Sequence, residues 1–109
     1  MTTITITKSK NGNYKQVECK GHTGYANSGE DIVCAAVSVL VINTVNSLES
    51  LTDAKMQVDT DEDSGMITFR FTEDLKEGGR LLVDSLVLGL TNVAGQYGKR
   101  YVKLKFREV

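Results

Sequence analysis

The stretch Gly21–Leu40 reads GHTGYANSGEDIVCAAVSVL, and the rest of the chain is arranged around it. It contains the only histidine, His22, and one of the two cysteines, Cys34. A cysteine, a histidine and a helix N-terminus in one short segment are the components of an activated thiolate. The loop between them runs into an apolar segment typical of a helix, and the glycines of this region are Gly21, Gly24 and Gly29.

The start of this helix is predicted from the four residues before the apolar run. The tetrapeptide SGED approximates a capping box, so that Ser28 or Asp31 caps the helix. Cys34 then lies in the first or second turn, where the macrodipole favours an anion such as a thiolate. Asp31, Cys34 and Ser38 follow at i, i+3 and i+7, so they share one helix face.

The two cysteines are expected to have different roles. In the strand predicted over Tyr14–Lys20, Val17 and Cys19 share one face and the polar residues share the other. Cys19 therefore points into the core, and Cys34 is the candidate nucleophile. The residues alone leave a structural alternative open, because cysteine in an apolar helix is often a buried core residue.

The pair Gly21-His22, followed after the loop by the segment DIVCAAVS around Cys34, resembles the ribosomal-processing cysteine protease family. Members of that family are small bacterial proteases, and the resemblance implies that His22 and Cys34 form the catalytic pair. It places Asp31 and Ser38 beside the nucleophile in supporting roles. The implied substrate is the N-terminal extension of large-subunit ribosomal protein twenty-seven, and the implied assembly is a homodimer.

The expected chemistry is hydrolysis of a peptide bond. The Cys34 thiolate attacks the carbonyl carbon, and His22 takes up the thiol proton and returns it to the leaving amine. Backbone N–H groups around Cys34 are expected to hold the oxyanion. The loop that carries Gly24 and Gly29 is expected to close over the peptide, with Tyr25 as a further contact.

Length, composition and charge define the class of protein. A chain of 109 residues, 40% hydrophobic and 25% charged, predicts a single globular domain over residues 1–109. A net charge of −1 gives no general attraction to nucleic acid or anionic membrane, so neither is an expected partner. The N-terminus MTTITITKSK has no signal-peptide pattern, and Val33–Val45 is too short to span a membrane. We therefore expect a cytoplasmic protein with reduced thiols.

Hydrophobic periodicity predicts five strands and two helices in the order ββαββαβ, with Asn11-Gly12 at the first hairpin. Every strand alternates apolar and polar residues, so the sheet needs cover on one face only. We predict an α+β fold, a two-layer sandwich of about five mostly antiparallel strands with both helices on one face. The predicted ranges are Thr2–Lys8, Tyr14–Lys20, Asp31–Leu51, Lys55–Thr60, Met66–Thr72, Glu73–Tyr97 and Lys99–Glu108.

Two features of these elements concern packing. The first helix is apolar around most of its circumference, which predicts burial on more than one side and therefore a partner subunit. In the third and fifth strands the alternation places Val58 and Phe106 on the face toward the helices.

Two other classes of function are each suggested by a single feature. A metal site could use Cys19, His22, Asp31 and Cys34, but the parity that turns Cys19 inward argues against it, so we expect no metal or cofactor. A non-enzymatic, ribosome-associated binding protein could instead contact RNA through the final strand. The basic row of that strand is Lys99, Lys103, Lys105 and Arg107.

Overall fold

The computed structural model describes residues 2–21, 28–61, 65–97 and 101–109, with the side chains of residues 28–31 outside the description. Within these ranges five strands and two helices follow one another as ββαββαβ, and the predicted α+β fold is confirmed. They are β1 Thr2–Lys8, β2 Tyr14–Lys20, α1 Ser28–Leu51, β3 Met56–Asp61, β4 Met66–Phe71, α2 Glu77–Tyr97 and β5 Val102–Glu108.

The five strands form one sheet in the order β3-β4-β2-β1-β5. Neighbouring strands are antiparallel except β1 and β5, which run parallel and pair from Thr2 opposite Val102 to Lys8 opposite Glu108. The sheet is therefore mostly antiparallel, as predicted. Its centre is the β1–β2 hairpin together with β4, and β3 and β5 are the outer strands.

The β1–β2 hairpin turns at the predicted Asn-Gly pair. Gly12 has a φ of +85°, a left-handed conformation that glycine adopts without a steric penalty. Its N–H donates to the Ser9 carbonyl oxygen at 2.9 Å, and the Ser9 N–H donates to the Asn13 carbonyl oxygen at 2.8 Å. These bonds close the hairpin and set the register of β1 against β2.

The hydrophobic core lies between the helices and the sheet face that they cover. Helix α1 contributes a stripe of side chains that are each at most 8% exposed, namely Val33, Val37, Val41, Val45 and Leu48. Alternate residues of the three central strands meet this stripe, and they are Ile4, Ile6, Val17, Cys19, Phe69 and Phe71. The inward parity predicted for β1, β2 and β4 is therefore confirmed.

The two outer strands do not follow the predicted burial. Val58 in β3 is 39% exposed and Phe106 in β5 is 61% exposed, although both have the predicted parity. Val58 pairs with the buried Phe69 and Phe106 with the buried Ile6, so both lie on the predicted face of the sheet but are not buried there. Alternation identifies a strand's faces, but it does not determine what covers them.

Both helices begin at a residue other than the predicted one. Helix α1 starts at Ser28, so both predicted caps, Ser28 and Asp31, lie inside its first turn. Helix α2 starts at Glu77, four residues later than predicted. The preceding residues form a connection in which the Thr72 N–H donates to the Lys55 carbonyl oxygen at 2.9 Å.

The face of α1 that points away from the sheet is apolar and exposed. Ile32 is 56%, Val39 66% and Ile42 51% accessible. By length and composition, the part of α1 from Ile32 to Leu51 could cross a membrane, which corrects the expectation that no stretch is long enough; among the described residues no other helix qualifies. The valine stripe on the opposite face of the same helix is buried on the sheet.

A polar link fastens the hairpin to α2. The hydroxyl of the buried Tyr14 donates to the Asp84 carboxylate, and Lys8 Nζ lies 4.7 Å from the centre of the Tyr14 ring. Burial, and after it the hydrogen bond to Asp84, raises the pKa of Tyr14 above its ordinary value of 10.0. The hydroxyl therefore keeps its proton, and with it the bond from β2 to α2, well into the alkaline range.

We expect Leu90→Ala to lower the free energy of unfolding by about 2–5 kcal/mol, because this α2 side chain is fully buried and its loss leaves a cavity. Leu81→Ala on the same helix is the matched control, since Leu81 is 68% exposed and the expected change is within about 0.5 kcal/mol. Urea unfolding at constant m-value measures both. Equal losses in the two variants would contradict the buried face assigned to α2.

Candidate active site

Cys34 is half-buried in the second turn of α1, the later of the two predicted positions. The helix begins at Ser28, so Cys34 is its seventh residue. Since the macrodipole acts mainly within the first turn, it favours a thiolate at this position less than expected. In an α-helix, the N–H of the seventh residue, here Cys34, donates a hydrogen bond to the carbonyl oxygen four residues earlier. The free N–H groups therefore lie one turn nearer the helix start, and the involvement of N–H groups around Cys34 in holding the oxyanion stays a prediction.

The sulfur of Cys34 contacts the first strand. Thr2 Oγ1 lies 3.5 Å from Cys34 Sγ, within hydrogen-bond distance for a sulfur atom, and either atom can be the donor. Thr2 is only 3% exposed, and its backbone N–H donates to the Tyr101 carbonyl oxygen at 2.8 Å. Cys34 therefore lies at the end of the sheet where β1 and β5 begin.

Gly21, a predicted site residue, lies at the same end of the sheet. Its N–H donates to the Gly65 carbonyl oxygen at 3.2 Å, which extends the pairing of β2 with β4. A Cβ atom at position 21 would lie 2.8 Å from Thr2 Oγ1 and 3.2 Å from Thr2 Cγ2. The backbone of Gly21 can approach Thr2 this closely only because it has no side chain. Thr2 thus touches both Cys34 and the residue that precedes His22 in the sequence.

Cys19 is in the core, as predicted. It is 8% exposed, and burial, with a smaller contribution from the negative charge of Cys34, raises the pKa of Cys19 from 9.0 to about 11. A thiol with this pKa stays protonated at neutral pH, and the thiolate is the nucleophilic form. The environment therefore excludes Cys19 as a nucleophile and leaves Cys34 as the candidate.

The remaining predicted site residues are described in part. Ser38 lies one turn after Cys34 on the same side of α1 and is exposed. Gly29 and Asp31 belong to the first turn of α1, and their side chains are outside the description. Three further candidates lie wholly outside the described residues, and they are His22, Gly24 and Tyr25. The pairing of Cys34 with a histidine therefore stays a prediction.

Two observations concern the described residues away from Cys34. Within residues 2–21, 28–61, 65–97 and 101–109, no group of three or more histidine, cysteine or acidic side chains could hold a metal ion. A cavity of about 150 Å³ is lined by residues from Thr52 to Lys55, from Glu73 to Lys76 and by Gly79. It lies beyond the C-terminal end of α1, about 27 Å from Cys34 at 1.5 Å per helical residue, so it does not belong to this site.

The family model for cysteine protease Prp matches residues 1–103 of the chain. The chain belongs to this family. It is therefore a cysteine protease, and the predicted resemblance to ribosomal-processing cysteine proteases is confirmed. The alternative of a non-enzymatic binding protein is wrong.

Two curated relatives are ribosomal processing cysteine proteases Prp. The protein of Bacillus subtilis (strain 168) is 30% identical over 101 residues, which are 89% of this chain and 90% of the relative. The protein of Staphylococcus aureus (strain Mu50 / ATCC 700699) is 24% identical over 107 residues, 98% of this chain and all of the relative. Both matches extend far beyond the motif around Cys34.

Two crystal structures have the same fold. The essential ribosomal processing protease Prp from S. aureus, in complex with a substrate peptide, superimposes with a TM-score of 0.91 at 23% identity, covering 98% of this chain and 100% of that one. A Streptococcus mutans protein superimposes with a TM-score of 0.89 at 35% identity, covering 100% and 96%. The fold of this Prp-family chain is therefore also found in experimentally determined crystal structures.

Thr2 is the residue at this site that the motif did not reveal. It lies 32 positions before Cys34 and has no family signature around it. The register of the β1–β2 hairpin could have indicated part of this contact. A hairpin that turns at Asn11-Gly12 pairs Thr3 with Lys20, and this register brings Thr2 opposite Gly21. The contact with Cys34 additionally requires the position of α1 above the sheet, which no local pattern contains.

The raised pKa of Cys19 predicts a loss of stability at alkaline pH. An unfolded thiol ionises near pH 9, whereas folded Cys19 keeps its proton to about pH 11, so stability present below pH 9 is lost as the pH rises to 11. We expect the free energy of unfolding of the wild type to decrease by about 2–3 kcal/mol between pH 9 and pH 11. The Cys19→Ala variant should not show this decrease. Urea unfolding at pH 8 to 11 measures it. Parallel stability curves for the wild type and the variant would contradict the assignment.

Proposed function

We propose that this protease is an endopeptidase that removes the N-terminal extension of large-subunit ribosomal protein twenty-seven, with Cys34 as nucleophile and His22 as its base. The observation that carries the proposal is the difference between the two thiols. Cys19 is buried with a raised pKa, whereas Cys34 is half-buried at the sheet end, inside the segment on which the family resemblance rests. A cysteine protease requires a sulfur that the substrate can reach, and Cys34 is the less buried of the two sulfurs.

The proposed reaction follows the usual two steps of a thiol protease. His22 takes the proton from Cys34, and the sulfur attacks the scissile carbonyl carbon. The carbon–nitrogen bond breaks, the leaving amine receives the proton from His22, and an acyl-enzyme thioester remains. Water, deprotonated by His22, then attacks the thioester and releases the new carboxyl terminus with the Cys34 thiol.

The supporting residues act around this pair. The unpaired N–H groups of the first turn of α1, which includes Gly29 and Asp31, are the proposed oxyanion donors. Ser38, exposed one turn beyond the nucleophile, is a proposed contact for the peptide. Gly24 and Tyr25 belong to the loop that is proposed to close over the substrate.

The nature of the substrate is supported by relatives. The structures of S. aureus Prp contain a substrate peptide in one case and a covalently linked product peptide in another. The name ribosomal processing protease ties that activity to the ribosome. We infer a peptide from a ribosomal protein as the substrate of this chain, and the cytoplasm, where ribosomes assemble and thiols stay reduced, as its compartment.

We expect the purified protein to shorten ribosomal protein twenty-seven that carries its N-terminal extension, with products identified by mass spectrometry. Cys34→Ala and His22→Ala should each lower the rate at least about 1000-fold, because each removes half of the catalytic pair. Cys19→Ala is the matched control and should keep the activity, and circular dichroism confirms that the variants are folded. Cleavage by Cys34→Ala would contradict the assignment of the nucleophile.

We also propose that the protein is a homodimer formed through the outer face of α1. The exposed apolar residues of this face follow one another at intervals of three and four, the spacing of a helix–helix contact. We call them the α1 stripe, and they are Ile32, Ala35, Val39 and Ile42. An apolar stripe of this kind on the surface of a folded protein is typical of an interface.

Val39→Glu should convert the dimer to a monomer, because the variant would bury a carboxylate at the centre of the α1 stripe. Light scattering during size-exclusion chromatography at about 10 μM gives the mass in solution. Ser85→Glu, an exposed position on α2, is the control and should leave the mass unchanged. A wild-type protein with the mass of one chain would contradict the proposal.

A further inference from the structure

The hydroxyl of Thr2 is a buried polar group whose partner is the proposed nucleophile. Thr2 is 3% exposed, and a buried hydroxyl is unfavourable unless it forms a hydrogen bond. Among the described residues, the hydrogen-bond partner of Thr2 Oγ1 is Cys34 Sγ, at 3.5 Å. The pair joins the first residue of β1 to the second turn of α1 across the edge of the core.

The position of this hydroxyl is held from three sides. The Thr2 N–H donates to the Tyr101 carbonyl oxygen at 2.8 Å, and Thr2 pairs with Val102 at the start of the parallel ladder. Gly21 packs directly against the Oγ1 and Cγ2 atoms. A β-branched side chain has few χ1 rotamers, so backbone and neighbours together leave the hydroxyl little freedom to leave Cys34.

We propose that Thr2 is a positioning residue of the protease, whose hydroxyl donates a hydrogen bond to the Cys34 sulfur when that sulfur is a thiolate. A thiol can donate or accept, whereas a thiolate only accepts, so deprotonation leaves the Thr2 O–H as the donor. The bond favours the charged form of the sulfur and holds it in one rotamer. This role rests on the proposed function of Cys34 as the nucleophile.

Two properties of the site make a hydrogen bond from the Thr2 hydroxyl important for stabilising the Cys34 thiolate. Cys34 lies beyond the first turn of α1, so the helix dipole supplies less of the stabilisation than a cysteine at the helix start would receive. The sulfur is also half-buried, where a hydrogen bond to a charge is stronger than in water. A fixed donor at the sheet end therefore supplements the helix dipole.

The same geometry ties Gly21 to the hydroxyl. A methyl group at position 21 would lie 2.8 Å from Thr2 Oγ1, which is closer than two such atoms can approach. Either the Thr2 side chain or the backbone of Gly21 must then shift. Gly21→Ala should therefore disturb the Thr2–Cys34 contact without altering either of the two side chains.

A purely structural role of Thr2 predicts a different result from the same substitution. If the side chain only fills space, valine replaces it without effect on the sulfur, since the two side chains have the same shape. If the hydroxyl donates a hydrogen bond to the thiolate, Thr2→Val loses this stabilisation of the thiolate, whereas Thr2→Ser keeps it. The reactivity of Cys34 toward iodoacetamide distinguishes the two cases and does not require turnover of any substrate.

The test is the pH profile of Cys34 alkylation by iodoacetamide, followed by peptide mass mapping. For Thr2→Val we expect the midpoint of the profile to move up by about one pH unit, the effect of losing one hydrogen bond to a charged group. Thr2→Ser should retain the wild-type midpoint. Thr7→Val is the matched control, because Thr7 is a buried threonine of the same strand at 7% exposure and should leave the profile unchanged.

Cleavage kinetics provide the second readout. Thr2→Val should lower kcat about tenfold with little change in KM, because Thr2 is buried and its hydroxyl contacts the nucleophile. Should Thr2→Val not fold, as judged by circular dichroism, Thr2→Ala and Gly21→Ala take its place with the same expected shift of the profile. A folded variant without the hydroxyl that keeps the wild-type midpoint overturns the proposal.

This proposal and the proposed function fail in different ways. Cleavage that survives Cys34→Ala refutes the catalytic role, and with it the role of Thr2 in catalysis. Loss of cleavage in Cys34→Ala, together with an unchanged alkylation profile in Thr2→Val, refutes the role of Thr2 alone. Loss of cleavage in Cys34→Ala with a shifted profile in Thr2→Val, restored in Thr2→Ser, supports both.

Discussion

The packing of α1 on the covered face of the sheet is the constraint on which the active site depends. Val33, Val37 and Val41 are at most 1% exposed, and their burial fixes the rotation of the helix about its axis. Cys34 follows Val33 directly, so this rotation turns its sulfur toward the start of β1 and leaves it half-buried. A different rotation would place the same cysteine either in the core or in open solvent.

The same packing separates the chemistry of the two thiols. Cys19 lies under the helix within the core cluster, where burial keeps it protonated. Cys34 lies at the margin of that cluster, half-buried and with a hydroxyl at hydrogen-bond distance. The fold thus places two identical side chains in unlike surroundings, one inside the core and one at its margin.

Close approach between backbone elements holds this arrangement together. A Cβ atom at Gly21 would overlap Thr2, and one at Gly89 in α2 would lie 3.2 Å from the Leu40 side chain of α1. The first contact brings the end of β2 against the start of β1, and the second lets the two helices lie side by side. Helix α2 in turn is fastened to the hairpin through the bond from Tyr14 to Asp84. The site is thus supported by contacts from elements distributed along the whole described chain.

The sequence by itself determined the order of the elements, the faces of the strands and the inward position of Cys19, because alternation and helical spacing are local properties. The motif around Cys34 also indicated the family. Only the tertiary structure decided that Phe106 stays exposed, that α1 begins at Ser28, and that Thr2 meets the sulfur. Each of these depends on which element covers which, and that follows from the packing of residues far apart in the chain rather than from any local pattern.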